Sequence, residues 1–250
     1  RDELAQLDRL NDVIRDVDQA LVGATSREGI EKAVCERLTS AGRYSFALSL
    51  RHSPEGRLEP SAWTDAANEY VEEAFPLEDV DRTESPGYQA LENGDIEVVE
   101  DVDEHPEVAP PDARETVSVN SLAAIPVTYT GVEYGVIAVY GEEADAFGER
   151  ELEVLDELGE TIGYAIAAVE RQEREQTLTA LHEATRKLLG TNTKQEVCEV
   201  VVDVAADVLN LPGVGIFLFD DEENALKPEA ATDTLLEYYD QNVHAGVVTT

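Results

Sequence analysis

Four histidines, two cysteines and 55 acidic residues are the groups that could hold a metal, attack carbon or move a proton. His52, His105, His182 and His244 share no spacing, and no H-E-x-x-H, serine elbow or phosphate-binding glycine loop occurs. Cys35 and Cys198 each lie among aliphatics at helical spacing, without a C-x-x-C partner. They read as small buried hydrophobes in a reducing compartment, not as a disulfide or zinc site. Asp101, Asp103 and His105 begin like a calcium loop, but Pro106 replaces the required Gly and Asp112 the bidentate Glu. "DDEEN" (220–224) fails likewise, at Ala225 and Ala231. Both read as turns carrying solvated acids. An acid–base pair needs two carboxyls in distinct environments, and here they are too many to single out two. The expectation is a chain that is not an enzyme and holds no metal. The sequence leaves any cofactor unknown.

The acids outnumber 18 Lys and Arg to give a net charge of −37, and they are spread along the whole chain. Such a surface repels itself and should avoid both nucleic acid and anionic membrane. It becomes tolerable where molar salt shortens the Debye length to roughly 3 Å. The charge therefore reports the habitat of a salt-accumulating halophile rather than a substrate. No apolar run is long enough to cross a bilayer and no charged, apolar leader opens the chain, so a cytoplasmic location is expected. With no Met at all, residue 1 is not expected to be a native start, and the chain reads as part of something longer.

These groups must be positioned by elements whose hydrophobic period changes along the chain. Leu7, Leu10, Ile14, Val17 and Leu21 form a heptad stripe. Thr25 with Glu28 has the signature of a capping box before a helix that buries Ile30, Val34, Cys35 and Leu38. "YSFALSL", the turn "SPEG" and "RLEPSAW" predict a hairpin. "SPGYQALENG" predicts a short helix between Ser-Pro and Asn-Gly, "DIEVVEDV" (95–102) a strand, and "DEHPEVAPPDARE" a Pro-rich acidic loop. "LAAIPVTYTGVEYGVIAVYG" predicts two strands joined at Thr-Gly. A helical stripe through Leu152, Leu155, Leu158, Ile162, Ala165 and Val169 follows, turns polar at 170–176 and resumes at Leu178, Leu181 and Leu188, as one or two helices.

The chain also repeats itself. "RLEPSAWTD" (57–65) is answered by "ALKPEAATD" (225–233), and "LVGATSREGIEKAVCERL" (21–38) by "LLGTNTKQEVCEVVVDVA" (188–205). In this register Thr25 and Glu28 become Asn192 and Gln195. The second copy would break off after its first hairpin.

The segments "YSFALSL", "SPGYQALENGDIEVVEDV" and "SLAAIPVTYTGVEYGVIAVYGEEADAFGERELEVLDELGETIGYAI" together resemble a GAF domain. "DRLNDVIRDVDQALVGATSREGIEKAVCERLTSAGRYSFA" more narrowly resembles the GAF region of bacterio-opsin activator-like regulators of halophilic archaea, which join sensors to a helix-turn-helix. The resemblance implies an α+β, GAF/PAS-like antiparallel sheet flanked by N- and C-terminal helices, joined by a long helix to a partial second copy. The implied divisions are an N-terminal signalling helix (1–22), a first GAF domain (23–170), a helical linker (171–187) and the beginning of a second GAF domain (188–250). It also implies a small-molecule pocket on one face of the sheet, with Trp63, Tyr88, Ser118, Ser121 and Tyr129 as candidate lining. Trp63 and Tyr88 could equally fill the cavity themselves. Phe147 and Glu151 match only the end of the family's cyclic-nucleotide signature, whose Asn-Lys is missing. Neither the bilin-binding nor the methionine-sulfoxide-reducing members' pocket cysteines have a counterpart, since no Cys lies between 36 and 197.

The stripes at Leu7, Leu10, Ile14, Val17 and Leu21 and at Leu155, Leu158, Ile162 and Val169 are expected to lie side by side as a homodimer seam that transmits state. The competing reading is a helix pair that covers its own sheet. The functional expectation is a sensory module of a helix-turn-helix transcription regulator, with a sensor histidine kinase input and an enzyme acting in the pocket as alternatives. Its partners would be a second copy and a small-molecule ligand. DNA would be reached only through a further domain.

Overall fold

The N-terminal stripe forms helix α1 (Asp2–Gly23), and α2 (Arg27–Ser40) follows after a short break. The computed structural model describes residues 2–40, 42, 44–75, 85–105, 108, 117–144, 146–208 and 211–244, with side chains for 12–238 of these. The side chains of Leu7 and Leu10, and the loop carrying Pro106 and Asp112, lie outside the described residues. The chain divides into two units, Arg1–Glu170 and Arg171–Thr250.

In the first unit, β1 (Phe46–His52) and β2 (Leu58–Trp63) form the expected hairpin. A 3-10 turn (Asp65–Ala67) and α3 (Asn68–Ala74) follow. Helix α4 (Pro86–Asn93) begins with Pro, whose missing N–H costs nothing in a first turn, and stops at Gly94 in the left-handed region, φ 72°. The strand expected over 95–102 is shorter, β3 (Glu97–Val99), because Asp101 turns the chain by accepting from Asp103 N at 2.9 Å. A 3-10 turn at Val102–Glu104 takes the place of its end. The last two strands, β4 (Ser121–Tyr129) and β5 (Val132–Gly141), are joined by Thr130 and Gly131 at φ 50° and 75°. Two positive φ values in a two-residue loop match the right-handed twist of the strands.

The sheet order is β2-β1-β5-β4-β3, every pairing antiparallel. Alternation along each strand sends one set of side chains to each face. On the front, Phe46, Leu48, Leu50, Leu122, Ala124, Val136, Ala138 and Tyr140 pack under α3 and α4 through Tyr70, Ala74, Ala90 and Leu91. On the back, Ala47, Ala123, Ile125, Val127, Ile137 and Val139 meet Val13 and Val17 of α1, Ile30, Val34, Cys35 and Leu38 of α2, and helix α5 (Glu149–Gly190).

Helix α5 is one helix of 42 residues. Its Leu155, Leu158 and Ile162 are at most 2% exposed and cover this unit's own sheet, with Val169 partly buried at the margin. On α1, Val17 is buried in the same cluster with Leu21 partly buried against it, and Ile14 is half-buried. Of the stripe residues that the sequence assigns to an intermolecular seam, Val17, Leu155, Leu158 and Ile162 thus serve the intramolecular core. Gly159 and Gly163 bring α5 against the β4 backbone: a Cβ at either would stand 2.5 Å from Pro126 O or 2.4 Å from Thr128 O.

In the second unit, the end of α5 leads into α6 (Lys194–Asp207), then the hairpin β6 (Gly215–Asp220) and β7 (Ala225–Ala231), then α7 (Asp233–His244). The helix-start residues lie one position beyond the expected ones. Thr193 and Glu196 form the capping box of α6, and before α2 it is Ser26 Oγ that accepts from Gly29 N at 3.1 Å. The cap must be the last extended residue, which is Thr193 and not Asn192. Both units fasten the base of their hairpin alike. Thr64 N donates to Ala47 O and its Oγ1 accepts from Ala47 N; Thr232 and Val214 make the same reciprocal pair.

Candidate functional site

The front of the sheet is where the fold could leave room for a ligand, and its centre is filled. Phe46 stacks on Tyr140 with centroids 4.4 Å apart, and Tyr70 lies 5.0 and 5.2 Å from the two rings. Tyr70 Oη donates to Val108 O at 2.7 Å, so the 3.1 Å contact between the two hydroxyls is donated by Tyr140. Burial, then the neighbouring Tyr70, pushes the Tyr140 hydroxyl well above its ordinary pKa, and it stays protonated.

Room remains at the sheet's edge. A cleft of about 440 Å³ opens between β2 and α3, walled by Leu58, Pro60, Trp63, Val71 and Phe75 and rimmed by Arg57, Glu59 and Glu72. That volume suits a small organic molecule. Trp63 is held by its Nε1–H, which donates to Asn68 Oδ1 at 2.8 Å, and Arg57 Nη2 lies 3.4 Å from Glu59 Oε1.

The structure separates the five expected lining residues. Trp63 lines the cleft. Tyr88, half-buried on α4, packs against the front core, and its hydroxyl accepts from Leu58 N at 2.8 Å, so it fastens α4 to the start of β2. Ser118 is exposed, its carbonyl accepting from Ser45 Oγ at 3.2 Å. Ser121 is buried, and its Oγ donates to Glu143 O at 2.7 Å, closing the chain after β5. Tyr129, at the end of β4, meets Tyr164 of α5 edge-on at 5.3 Å. The last three sit away from the cleft because their segments brace the hairpin base and the α5 contact. Val71, Glu72 and Phe75 were not singled out, although Val71 and Phe75 stand four residues apart on the acidic helical stretch and so share a face.

On the back, Arg27 joins three elements. It binds Glu31 Oε1 at 2.8 Å, Glu170 Oε1 at 2.9 Å and the carbonyl of Tyr134, whose ring it also overlies at 5.9 Å. Glu31 is 1% exposed, and its Oε2 has no partner among the described residues. Phe147 stacks on Tyr44 at 5.8 Å, and Tyr44 Oη donates to the buried Glu151 at 2.5 Å, so both residues of the nucleotide-signature remnant serve packing.

Burial, then the charge of Glu31, pushes the Cys35 thiol from 9.0 up to about 12. The native state therefore keeps a proton that the unfolded chain releases, and stability should fall as pH rises from about 9 towards about 12. Cys35 should resist a thiol-specific reagent at pH 8 in the native protein and react at once in denaturant. Rapid native labelling of Cys35, read by mass spectrometry, would refute this burial.

Among the described residues no group of three or more His, Cys, Asp or Glu could hold a metal ion, and no helix is long and apolar enough to cross a membrane. The family model for the GAF domain matches residues 24–167. A transcriptional regulator of Haloferax volcanii is 31% identical over 181 residues, covering 68% of this chain and 28% of the relative. The bacterioopsin transcriptional activator of Halobacterium salinarum is 25% identical over 93% of this chain and 34% of its own length. The chain thus spans about a third or less of these relatives.

One expectation is corrected by a solved structure. Free methionine-R-sulfoxide reductase from Neisseria meningitidis, determined with its substrate, superposes with a TM-score of 0.53 at 18% identity, covering 65% of this chain and 91% of that one. The expectation of a chain that is not an enzyme does not hold as drawn, because this architecture also carries catalysis and the fold alone does not separate receiver from catalyst. Five antiparallel strands in this order, helices on both faces and a match from Ala24 to Ala167 lead to one conclusion: the chain belongs to the GAF domain family.

Proposed function

We propose that this chain is the sensory and regulatory part of a signal-transducing transcription regulator of bacterio-opsin activator type, acting in the cytoplasm as a homodimer. The observation that carries the reading is that one sheet joins a ligand-sized cleft to α5. The cleft lies on the front between β2 and α3; α5 lies on the back and continues unbroken to Gly190. Because Gly159 and Gly163 seat α5 directly on the β4 backbone, little side-chain padding can absorb a shift of the sheet. Ligand or partner binding at the front would bias two packings of the helix at the back. The 25% identity to the Halobacterium salinarum activator along 93% of this chain supports the regulator type. With a net charge of −37, this segment touches neither nucleic acid nor membrane, and DNA contact falls to other parts of the regulator.

The second unit is read as the beginning of a second GAF copy. Ser26 and Thr193, and the reciprocal pairs Thr64–Ala47 and Thr232–Val214, fall at matching places of the repeat. The dimer seam is placed on Leu178, Leu181 and Leu188, since Leu155, Leu158 and Ile162 are occupied. Leu178 and Leu181 are 52% and 40% exposed at coiled-coil spacing. Light scattering in molar KCl should give a dimer at micromolar concentration, and Leu178→Glu with Leu181→Glu should give a folded monomer. A wild-type chain that stays monomeric throughout that range would remove the seam from the reading.

A further inference from the structure

We infer that the cleft between β2 and α3 selects a small organic cation with an apolar body, such as an aryl or alkyl quaternary ammonium compound, an inference that rests on the ligand-responsive reading above. Five of its eight lining residues are apolar, and one of them is the chain's single tryptophan. Of its three charges, Arg57 already faces Glu59 at 3.4 Å, which offsets the one positive group. Glu72 has no ion-pair partner among the described residues, so one carboxylate at the rim is left uncompensated. An anion would meet that carboxylate at contact and find no unpaired cation among the described residues of the cleft. A positive charge gains on both counts, and an indole is the aromatic side chain best suited to hold one.

Salt sharpens the choice of cation. At molar ionic strength the Debye length is roughly 3 Å, so only charges in contact still attract. Potassium ions at that concentration compete for Glu72, but they keep their water and gain nothing from Leu58, Pro60, Val71 and Phe75. A weakly hydrated ammonium group on an apolar body gains from both the wall and the rim. The apolar walls then supply the affinity, and the rim supplies the sign of the charge.

Because Trp63 is the only tryptophan, its fluorescence reports the cleft directly. The full chain in molar KCl is titrated with benzyltrimethylammonium, benzyl alcohol and phenylacetate. The cation should saturate, with phenylacetate weaker by about tenfold or more and the alcohol in between. Glu72→Gln should weaken the cation about threefold and leave benzyl alcohol unchanged. Glu72→Lys, at an exposed helical position, should reverse the order and favour phenylacetate. Phenylacetate binding as tightly as the cation to the wild type, or an order unchanged by Glu72→Lys, overturns the inference while the cleft remains a ligand site. No saturable response to any of the three overturns it as well, and the dimer reading then stands or falls on light scattering alone.

Discussion

Gly163→Ala is expected to destabilise the first unit by about 2–3 kcal/mol, near the top of the usual range for overpacking a tight contact. The added Cβ would lie 2.4 Å from Thr128 O and 2.7 Å from Thr128 C. Those atoms are backbone, in a strand that pairs with β5 through Thr128 and Glu133, so they cannot rotate away as a side-chain tip would. The helix must move instead, and it carries Leu155, Leu158, Ile162 and Ile166 out of a filled layer. Alanine's better helix propensity, worth about 1 kcal/mol, acts in the opposite direction and is smaller than the clash. Gly159→Ala meets Pro126 O at 2.5 Å and should behave alike. The two together should cost less than their sum, because one displacement of α5 relieves both. Gly190→Ala is the control on the same helix: nothing lies within 4 Å of its added Cβ, and its effect should stay within about 0.5 kcal/mol. Urea unfolding followed by the fluorescence of Trp63 isolates the first unit. A Gly163→Ala midpoint equal to wild type would show that the contact is loose.

The two glycines mark a limit of what the sequence discloses. Period-2 and helical stripes are local, and they located the hairpins and most of the helices. The Thr-Gly turn between β4 and β5 was legible through Gly131, whose φ of 75° favours glycine, and not through Thr130, a β-branched residue at φ 50°. Which partner a stripe faces is not local. Leu155, Leu158 and Ile162 have heptad-like spacing whether the neighbour is a second chain or the chain's own sheet, and the sheet claimed them. Gly159 and Gly163, four apart in a helix, are a signal of close approach that patterning by hydrophobicity passes over.

The candidate site was less legible, for a related reason. Trp63 and Tyr88 both pack against the front core, but the sequence does not say which aromatics plug a cavity. Phe46, Tyr70 and Tyr140 come from three distant segments and fill the centre only because β1 and β5 pair in a register that sets Phe46 opposite Tyr140. The cleft then lies where the plug ends, beside Val71 and Phe75 of α3. The Arg27 cluster is longer-ranged still, since Arg27 and Glu170 are 143 residues apart. No spacing rule joins them.

That cluster carries the largest expected effect in the molecule. Arg27→Ala removes the one cation paired with Glu31 among the described residues; the Glu31 side chain is 2% exposed, and the change leaves its carboxylate without that counter-charge in an apolar layer beside Cys35. Breaking a buried pair from one side costs about 3–5 kcal/mol, because the stranded charge keeps its desolvation penalty. Arg27→Lys should recover only part, since one ammonium cannot meet Glu31, Glu170 and the Tyr134 carbonyl with the guanidinium's planar fork. Glu170→Gln, on the 29% exposed side of the cluster, should cost less than about 1 kcal/mol. The decisive variant removes both charges. Arg27→Met with Glu31→Leu should return most of the lost stability, because a buried pair replaced by apolar groups of similar size is often neutral. If that double variant is as unstable as Arg27→Ala in urea, the loss comes from packing around α2 and not from a stranded carboxylate. If Glu170→Gln costs as much as Arg27→Ala, the cluster's strength lies in its tie to α5, and Glu31 is a bystander.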